Sequence, residues 1–304
     1  RARKFSYSGS ASSAVMAILE GLIGRAAASA GTGALFAPGR DPVTRAELVD
    51  TAQTIGQTLT RAGVQRGHIV AMVLSDDLDL FLTFCGIASV AACAPLNPAS
   101  SRAEFELALG ELRPAALIVD QRDSAAVAVA QSMGIRVLQS SALRSPQGEG
   151  EKLDGPRDGD LALVLFTSAT TDRAKAVPLT HANLAAMVGN TLRALALTED
   201  DRLLSMMPMF HLQGLLSTVA QLLAGGSTAF LGTFEAGRFA ECMRRDRPTW
   251  YTAGPALHGA ILAAGPVEAG RLRFVRSIGA RMAPALMAEV ERALGVPVLE
   301  GYGL

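Results

Sequence analysis

Cysteine is scarce: Cys85, Cys93 and Cys242 are the only three in 304 residues. An odd, widely spaced set offers neither metal-ligand spacing nor a disulfide framework, so a reducing, cytoplasmic setting fits best. Excess charge of either sign is also missing. With 28 Lys and Arg against 28 Asp and Glu, the formal net charge is +0, which leaves no electrostatic footprint for nucleic acid or an anionic membrane. Familiar signatures are absent too: no Walker A Gly-Lys-Ser/Thr, no G-x-G-x-x-G after a strand and no G-x-S-x-G elbow. His68, His181, His211 and His258 lack the close spacing of metal-hydrolase ligands.

Long apolar runs are lacking, with one exception. Residues 80–101 carry no charge, but Pro95 and Pro98 break the run and small or polar residues dilute it. That pattern reads as a buried helix over 78–92 followed by a core strand, not as a membrane span. Near the start, Glu20 and Arg25 interrupt residues 14–30, which suits an amphipathic helix better than a signal peptide. Arg1 in place of Met points to a trimmed start.

What is present is enough apolar material for a large core: 49% hydrophobic against 18% charged residues. Helical spacing of Leu48, Ala52, Ile55 and Leu59 alternates with short apolar runs such as 68–74, 115–119 and 161–166. Strands alternating with helices imply parallel βαβ units. The expected fold class is therefore α/β, with two doubly wound, mostly parallel sheets flanked by helices. Residues 145–160 lose all periodicity, so a boundary is expected near residue 155, between an N-terminal subdomain (1–155) and a second one (156–304).

Ligands sit at the carboxyl ends of strands in open parallel sheets, and four such junctions are polar or sharply bent. The first follows strand 161–166: Thr167, Ser168, Thr170 and Thr171 form a hydroxyl cluster before Lys175. Hydroxyls and backbone N–H groups that donate, followed by an ammonium, are what a phosphate loop needs. Lysine is rare here, the others being Lys4 and Lys152. The second junction carries Phe210 and His211 after Pro208. Gly279 and Ala280 make the third, a small-residue turn that lets a flat ligand approach the backbone. Glu300, Gly301, Tyr302 and Gly303 form the fourth, where a tyrosine ring could stack on a base. Singly, each has an ordinary explanation: a rim histidine, a turn glycine, a packed aromatic, a helix start at Asp76 and Asp77, a helix-terminus His181.

Together, their order resembles the adenylate-forming superfamily of acyl-CoA synthetases, adenylation domains and luciferases. TSATTDRAKAVPLTHANL at 167–184 looks like its phosphate loop, PMFHLQG at 208–214 like its acyl-site histidine motif, and EGYGL at 300–304 like the opening of its adenine motif. RPTWYT at 247–252 and RSIGARMAP at 276–284 look closest to the oxalyl-CoA-synthetase-like branch. The resemblance implies activation of a small carboxylic acid by ATP with Mg²⁺, giving an acyl-adenylate and pyrophosphate, then transfer to coenzyme A or to a carrier protein. By the same carry-over, Thr167, Ser168, Thr170, Thr171 and Lys175 would hold the β and γ phosphates, and His211 would lie by the substrate carboxylate. Gly279 and Ala280 would line the acyl and adenine pocket, with Tyr302 stacked on adenine beside Glu300, Gly301 and Gly303.

The sequence departs from the family pattern in two places. Ala169, Asp172, Ala174 and Ala176 stand where glycine, glycine or serine, proline and glycine are usual. Close to a phosphate, the Asp172 carboxylate would be repelled by up to about 4 kcal/mol at an effective dielectric of about 20. Family members also continue past the adenine motif into a C-terminal domain with a catalytic lysine, so the chain as it stands is expected to be impaired in catalysis. A non-catalytic nucleotide-, acyl- or partner-binding module is the alternative from a different class.

Overall fold

The computed structural model describes residues 33–145, 153, 155–167 and 175–302. The helix expected over 14–30, Lys4, Lys152, loop residues 168–174 and Gly303 lie outside the described residues. In chain order, β1 (Gly33–Phe36) and β2 (Val43–Thr44) precede α1 (Arg45–Arg61), β3 (Ile69–Val73), α2 (Asp77–Ala88), β4 (Ala92–Pro95) and α3 (Arg102–Leu112). Next come β5 (Ala116–Val119), α4 (Ala125–Ser132), β6 (Val137–Gln139), α5 (Ser140–Leu143), β7 (Leu161–Phe166), β8 (Ala176–Thr180), α6 (His181–Ala194) and β9 (Arg202–Ser205). The series ends with α7 (Leu212–Leu223), β10 (Ser227–Phe230), α8 (Ala236–Arg245), β11 (Trp250–Ala253), α9 (Pro255–Ala263), β12 (Phe274–Ser277), α10 (Pro284–Leu294) and β13 (Val298–Glu300).

Helix starts follow from side chains that satisfy the first free N–H groups. Thr44 with Glu47, Ser101 with Glu104 and Thr180 with Asn183 form reciprocal capping boxes, and Asp76 accepts from the Asp79 N–H. The helix expected over 78–92 ends at Ala88, because Ala92 and the residues after it pair with β3 instead. No described helix is long and apolar enough to cross a membrane.

The expected α/β architecture is present as a seven-stranded sheet, β13-β12-β11-β9-β10-β1-β2, and a six-stranded sheet, β6-β5-β3-β4-β7-β8. All neighbouring pairs are parallel except β1 with β2 and β7 with β8. Sheet membership crosses residue 155 in both directions: β1 and β2 join the strands of the later half, and β7 and β8 join those of the earlier half.

The sheets lie on either side of a shared apolar layer. Leu35 of β1, Leu48 of α1, Val70 of β3, Phe81 of α2, Leu184 of α6 and Leu215 of α7 belong to one buried cluster. The rings of Phe81 and Phe230 meet across this layer with centroids 6.4 Å apart. Burying such a phenyl group stabilises the fold by about 1.5–3 kcal/mol. Separate clusters cover the outer faces: α3 and α4 on the six-stranded sheet, and α8, α9 and α10 on the seven-stranded sheet. This layering turns the carboxyl ends of β4, β7 and β9 toward one another.

Candidate active site

β7 and β8 form an antiparallel pair whose ends close the hydroxyl-rich loop. The Thr167 N–H donates to the Lys175 carbonyl at 3.0 Å, and the Lys175 N–H donates to Thr167 Oγ1 at 3.2 Å. This neck fixes where the loop leaves and re-enters the sheet. Beyond it, β8 runs to Thr180, the cap of α6. His181, the first residue of that helix, is fully buried, and its burial pushes its pKa down to about 4 against the opposing pull of Asp160 and Asp158. It is a core residue, well suited to holding α6 and not to meeting a ligand.

Thr167 and Lys175 line a cleft of about 820 Å³ that also takes in Pro95, Leu96 and Asn97 after β4, one face of α3, and Phe210 with His211 after β9. His211 caps α7 by backbone only, with no side-chain cap bond, so its imidazole is left for the cleft. Its ring leans on Phe210 with centroids 4.6 Å apart, and partial burial lowers its pKa. A neutral imidazole at neutral pH can accept or donate a hydrogen bond beside a carboxylate. The turn carrying it is held from the start of α2: the Met209 N–H donates to Asp77 Oδ1 at 3.3 Å.

The remaining described candidates gather at the carboxyl ends of β12 and β13. Gly279 turns the chain with φ +92, a conformation that suits glycine. The Gly301 N–H donates to the Ser277 carbonyl at 2.8 Å, and Glu300 Oε1 accepts from the Met282 N–H at 2.9 Å. Tyr302 is 93% exposed, leaving both ring faces open. Gly279, Ala280, Glu300, Gly301 and Tyr302 do not line the cleft of Lys175 and His211. Arg276 Nη1 of β12 donates to Gln213 Oε1 of α7 at 3.1 Å, a bond between the strand that leads to Gly279 and the helix that starts after His211. Thr167, Lys175 and His211 are thus brought together, whereas Ser168, Thr170, Thr171 and Gly303 lie outside the described residues.

The sequence carries no distinctive mark for a further part of the cleft lining, made by Ser100, Glu104, Leu107 and Glu111. The signal was a capping box followed by an acidic helix face, which is indistinguishable from a solvated one. In the sequence Asp77 reads only as a helix start, and Arg276 only as part of a motif. Among the described residues, no cluster of three His, Cys, Asp or Glu could hold a metal ion.

Comparison with known proteins agrees with this layout. The sequence profile of the family described as AMP-binding enzyme matches residues 24–304. An oxalate–CoA ligase of Arabidopsis thaliana is 33% identical over 296 residues, covering 89% of this chain and 57% of its own length. A probable CoA ligase of Humulus lupulus is 32% identical over 310 residues, covering 94% of this chain and 59% of its own length. The crystal structure of ATP-bound MatB from Rhodopseudomonas palustris superposes with a TM-score of 0.83 at 24% identity, over 96% of this chain and 60% of that one. The chain therefore spans less than two thirds of the length of each of these three proteins. With the family profile matching nearly the whole chain and two ligase relatives above 30% identity, this chain belongs to the AMP-binding enzyme family of adenylate-forming ligases.

Proposed function

We propose that the chain is the nucleotide- and acid-binding core of an AMP-forming acid–thiol ligase. The observation that carries this reading is the cleft that puts Lys175, at the neck of a hydroxyl-rich loop, in one cavity with His211. In the proposed first step a carboxylate oxygen of the acid attacks the α-phosphorus of ATP. Pyrophosphate leaves, and a mixed anhydride of acid and AMP remains. Lys175 and the hydroxyls of Thr167, Ser168, Thr170 and Thr171 neutralise and orient the leaving phosphates. His211 orients the acid, and Tyr302 with Gly279, Ala280, Glu300, Gly301 and Gly303 receives the adenine and the backbone of the adenylate. In the second step a thiol attacks the acyl carbon and AMP departs. The ligase relatives support coenzyme A as the thiol, and a carrier-protein thiol is the variant of the same chemistry. Mg²⁺ would arrive with the phosphates, consistent with its habit of binding phosphate oxygens and few protein groups.

Three buried free cysteines suit a reducing, cytoplasmic location within this proposal. The test is carboxylate-dependent exchange of labelled pyrophosphate into ATP. Exchange that needs both the acid and Lys175 supports the reading. ATP binding without any exchange favours the non-catalytic module to which Ala169 and Asp172 point, with the chain impaired by its altered loop.

A further inference from the structure

The turn that carries His211 is closed by its own backbone. The His211 N–H donates to the Pro208 carbonyl at 3.0 Å, which places Met209 and Phe210 at the two corners of a β-turn. The first turn of α7 presses on it: a Cβ on Gly214 would lie 2.5 Å from the Pro208 oxygen and 2.8 Å from the Met207 oxygen. The Met209 side chain is fully buried, with its sulfur 4.0 Å from Thr218 Oγ1 of the same helix. These contacts lie within residues 207–218. They shape the turn without tying its backbone to the six-stranded sheet, whose β7 and β8 flank Thr167 and Lys175 on the other side of the cleft.

That tie comes from Asp77. The Met209 N–H, which the turn itself does not use, donates to Asp77 Oδ1 across 132 positions of sequence. Asp77 begins α2, the helix between β3 and β4 of the six-stranded sheet. The other acids of this helix start are engaged elsewhere. Asp76 caps the Asp79 N–H and pairs with Arg40, and Asp79 pairs with Arg40 and Arg144. Asp77 is half-buried and forms no ion pair among the described residues, and burial is the largest influence on its pKa, pushing it up. A half-buried carboxylate with no cation beside it destabilises a fold, and departures of that kind gather at functional sites.

We propose that Asp77 is a positioning residue: through the Met209 N–H it holds the histidine turn so that the His211 imidazole stays against Phe210 and in the cleft shared with Lys175. The two rings lie 4.6 Å apart between centroids, and burial alone lowers the His211 pKa. Both the titration of the imidazole and its ring-current shift therefore report whether the turn is in place. The other charged groups lining the cleft are Lys175, Glu104, Glu106 and Glu111, and Asp76 is the charge that acts on Asp77. The proposal rests on the ligase reading only for the statement that His211 orients an acid; the grip on the turn needs no ligand.

The test is NMR of the isotope-labelled chain without ligand, from about pH 4 to about pH 8. Asp77→Ala removes the acceptor and leaves Asp76 to cap α2. The His211 Cε1–H signal, identified by its loss in His211→Ala, should lose its Phe210 ring-current shift, and the His211 pKa should rise toward the ordinary histidine value. Loss of a negative charge alone would move that pKa the other way or not at all, so the sign separates release of the turn from electrostatics. Asp77→Asn keeps an acceptor and should hold both readouts close to wild type. In the wild type itself, the Met209 amide proton should shift as the Asp77 carboxyl titrates at about 6, and the same inflection should persist in His211→Ala. Calorimetric titration of oxalate and of butyrate adds the ligand: Asp77→Ala should weaken the tighter acid by about three- to ten-fold, the worth of one hydrogen bond, and should add nothing in the His211→Ala background. An unmoved His211 signal in Asp77→Ala, an Asp77→Asn that behaves like Asp77→Ala, or a Met209 amide that ignores Asp77 would overturn the assignment. The expected NMR changes without binding of either acid would support the grip on the turn and count against the ligase reading.

Discussion

Asp77, at the start of α2, accepts a hydrogen bond from the backbone N–H of Met209, 132 positions away in the turn that carries His211. Burial raises its pKa to about 6, with the Met209 bond opposing and Asp76 adding to the rise. A carboxyl whose folded pKa exceeds its unfolded value binds more protons when folded, so its contribution favours the fold below the unfolded pKa and turns against it as pH rises through 6. Asp77→Asn keeps an acceptor for Met209 and removes the charge. It should stabilise the protein by on the order of 2 kcal/mol above about pH 7, with the gain fading toward pH 4. Thermal melts across that range check this, and a gain independent of pH would contradict it.

Asp201 behaves in the opposite sense. It is 2% exposed and would be raised by burial, but Thr249 Oγ1 at 2.7 Å, Arg273 Nη1 at 2.5 Å and the Thr198 N–H at 2.8 Å hold its pKa below the ordinary carboxylate value. Its stabilisation is present above the unfolded pKa and is lost as pH falls through the lower folded value. Asp201→Ala should cost on the order of 3 kcal/mol at neutral pH, since it strands the Thr198 N–H and the Arg273 charge. Chemical denaturation should give a gap that narrows below about pH 4; a constant gap would rule out the ionic origin.

Lys175 is exposed, and its recorded hydrogen bonds are made by its backbone. Lys175→Met should therefore leave the melting temperature within about 1 °C while weakening ATP binding at least about ten-fold, the loss of one charge-assisted contact. Calorimetric titration with ATP and Mg²⁺ measures it. A fall in melting temperature with intact ATP affinity would place the lysine in the scaffold instead.

Replacing Ala169 and Asp172 together by glycine should tighten ATP binding. If position 169 needs left-handed backbone, glycine there saves about 1–2 kcal/mol, and glycine at 172 removes a carboxylate that would repel a phosphate placed close to it. Unchanged ATP affinity by titration calorimetry would refute the argument that these two residues weaken the loop.

Much of the fold was legible because its signals are local. Apolar spacing and a capping threonine mark α1, Pro284 at its first position marks α10, and the run over 161–166 marks β7. β1 and β2 left no such mark. They are four and two residues long, and β1 is a strand because it pairs with β10, nearly 200 positions later. The assignment of β7 to the earlier sheet was hidden for the same reason, since only its pairing with β4 decides it. At the site, order along the chain pointed to the junctions that meet in the cleft. It could not reveal that Asp77 grips the histidine turn, because that contact joins residues 132 positions apart in sequence.

The neck between Thr167 and Lys175 has one more consequence. Because two hydrogen bonds and the β7–β8 ladder already bring the ends of the loop together, closing it costs the chain little further entropy whatever residues it contains. The scaffold is in this sense indifferent to the loop's wording. Mutational drift there can erode or restore phosphate chemistry with almost no penalty in foldability, so activity and stability can evolve separately at this one spot in the molecule.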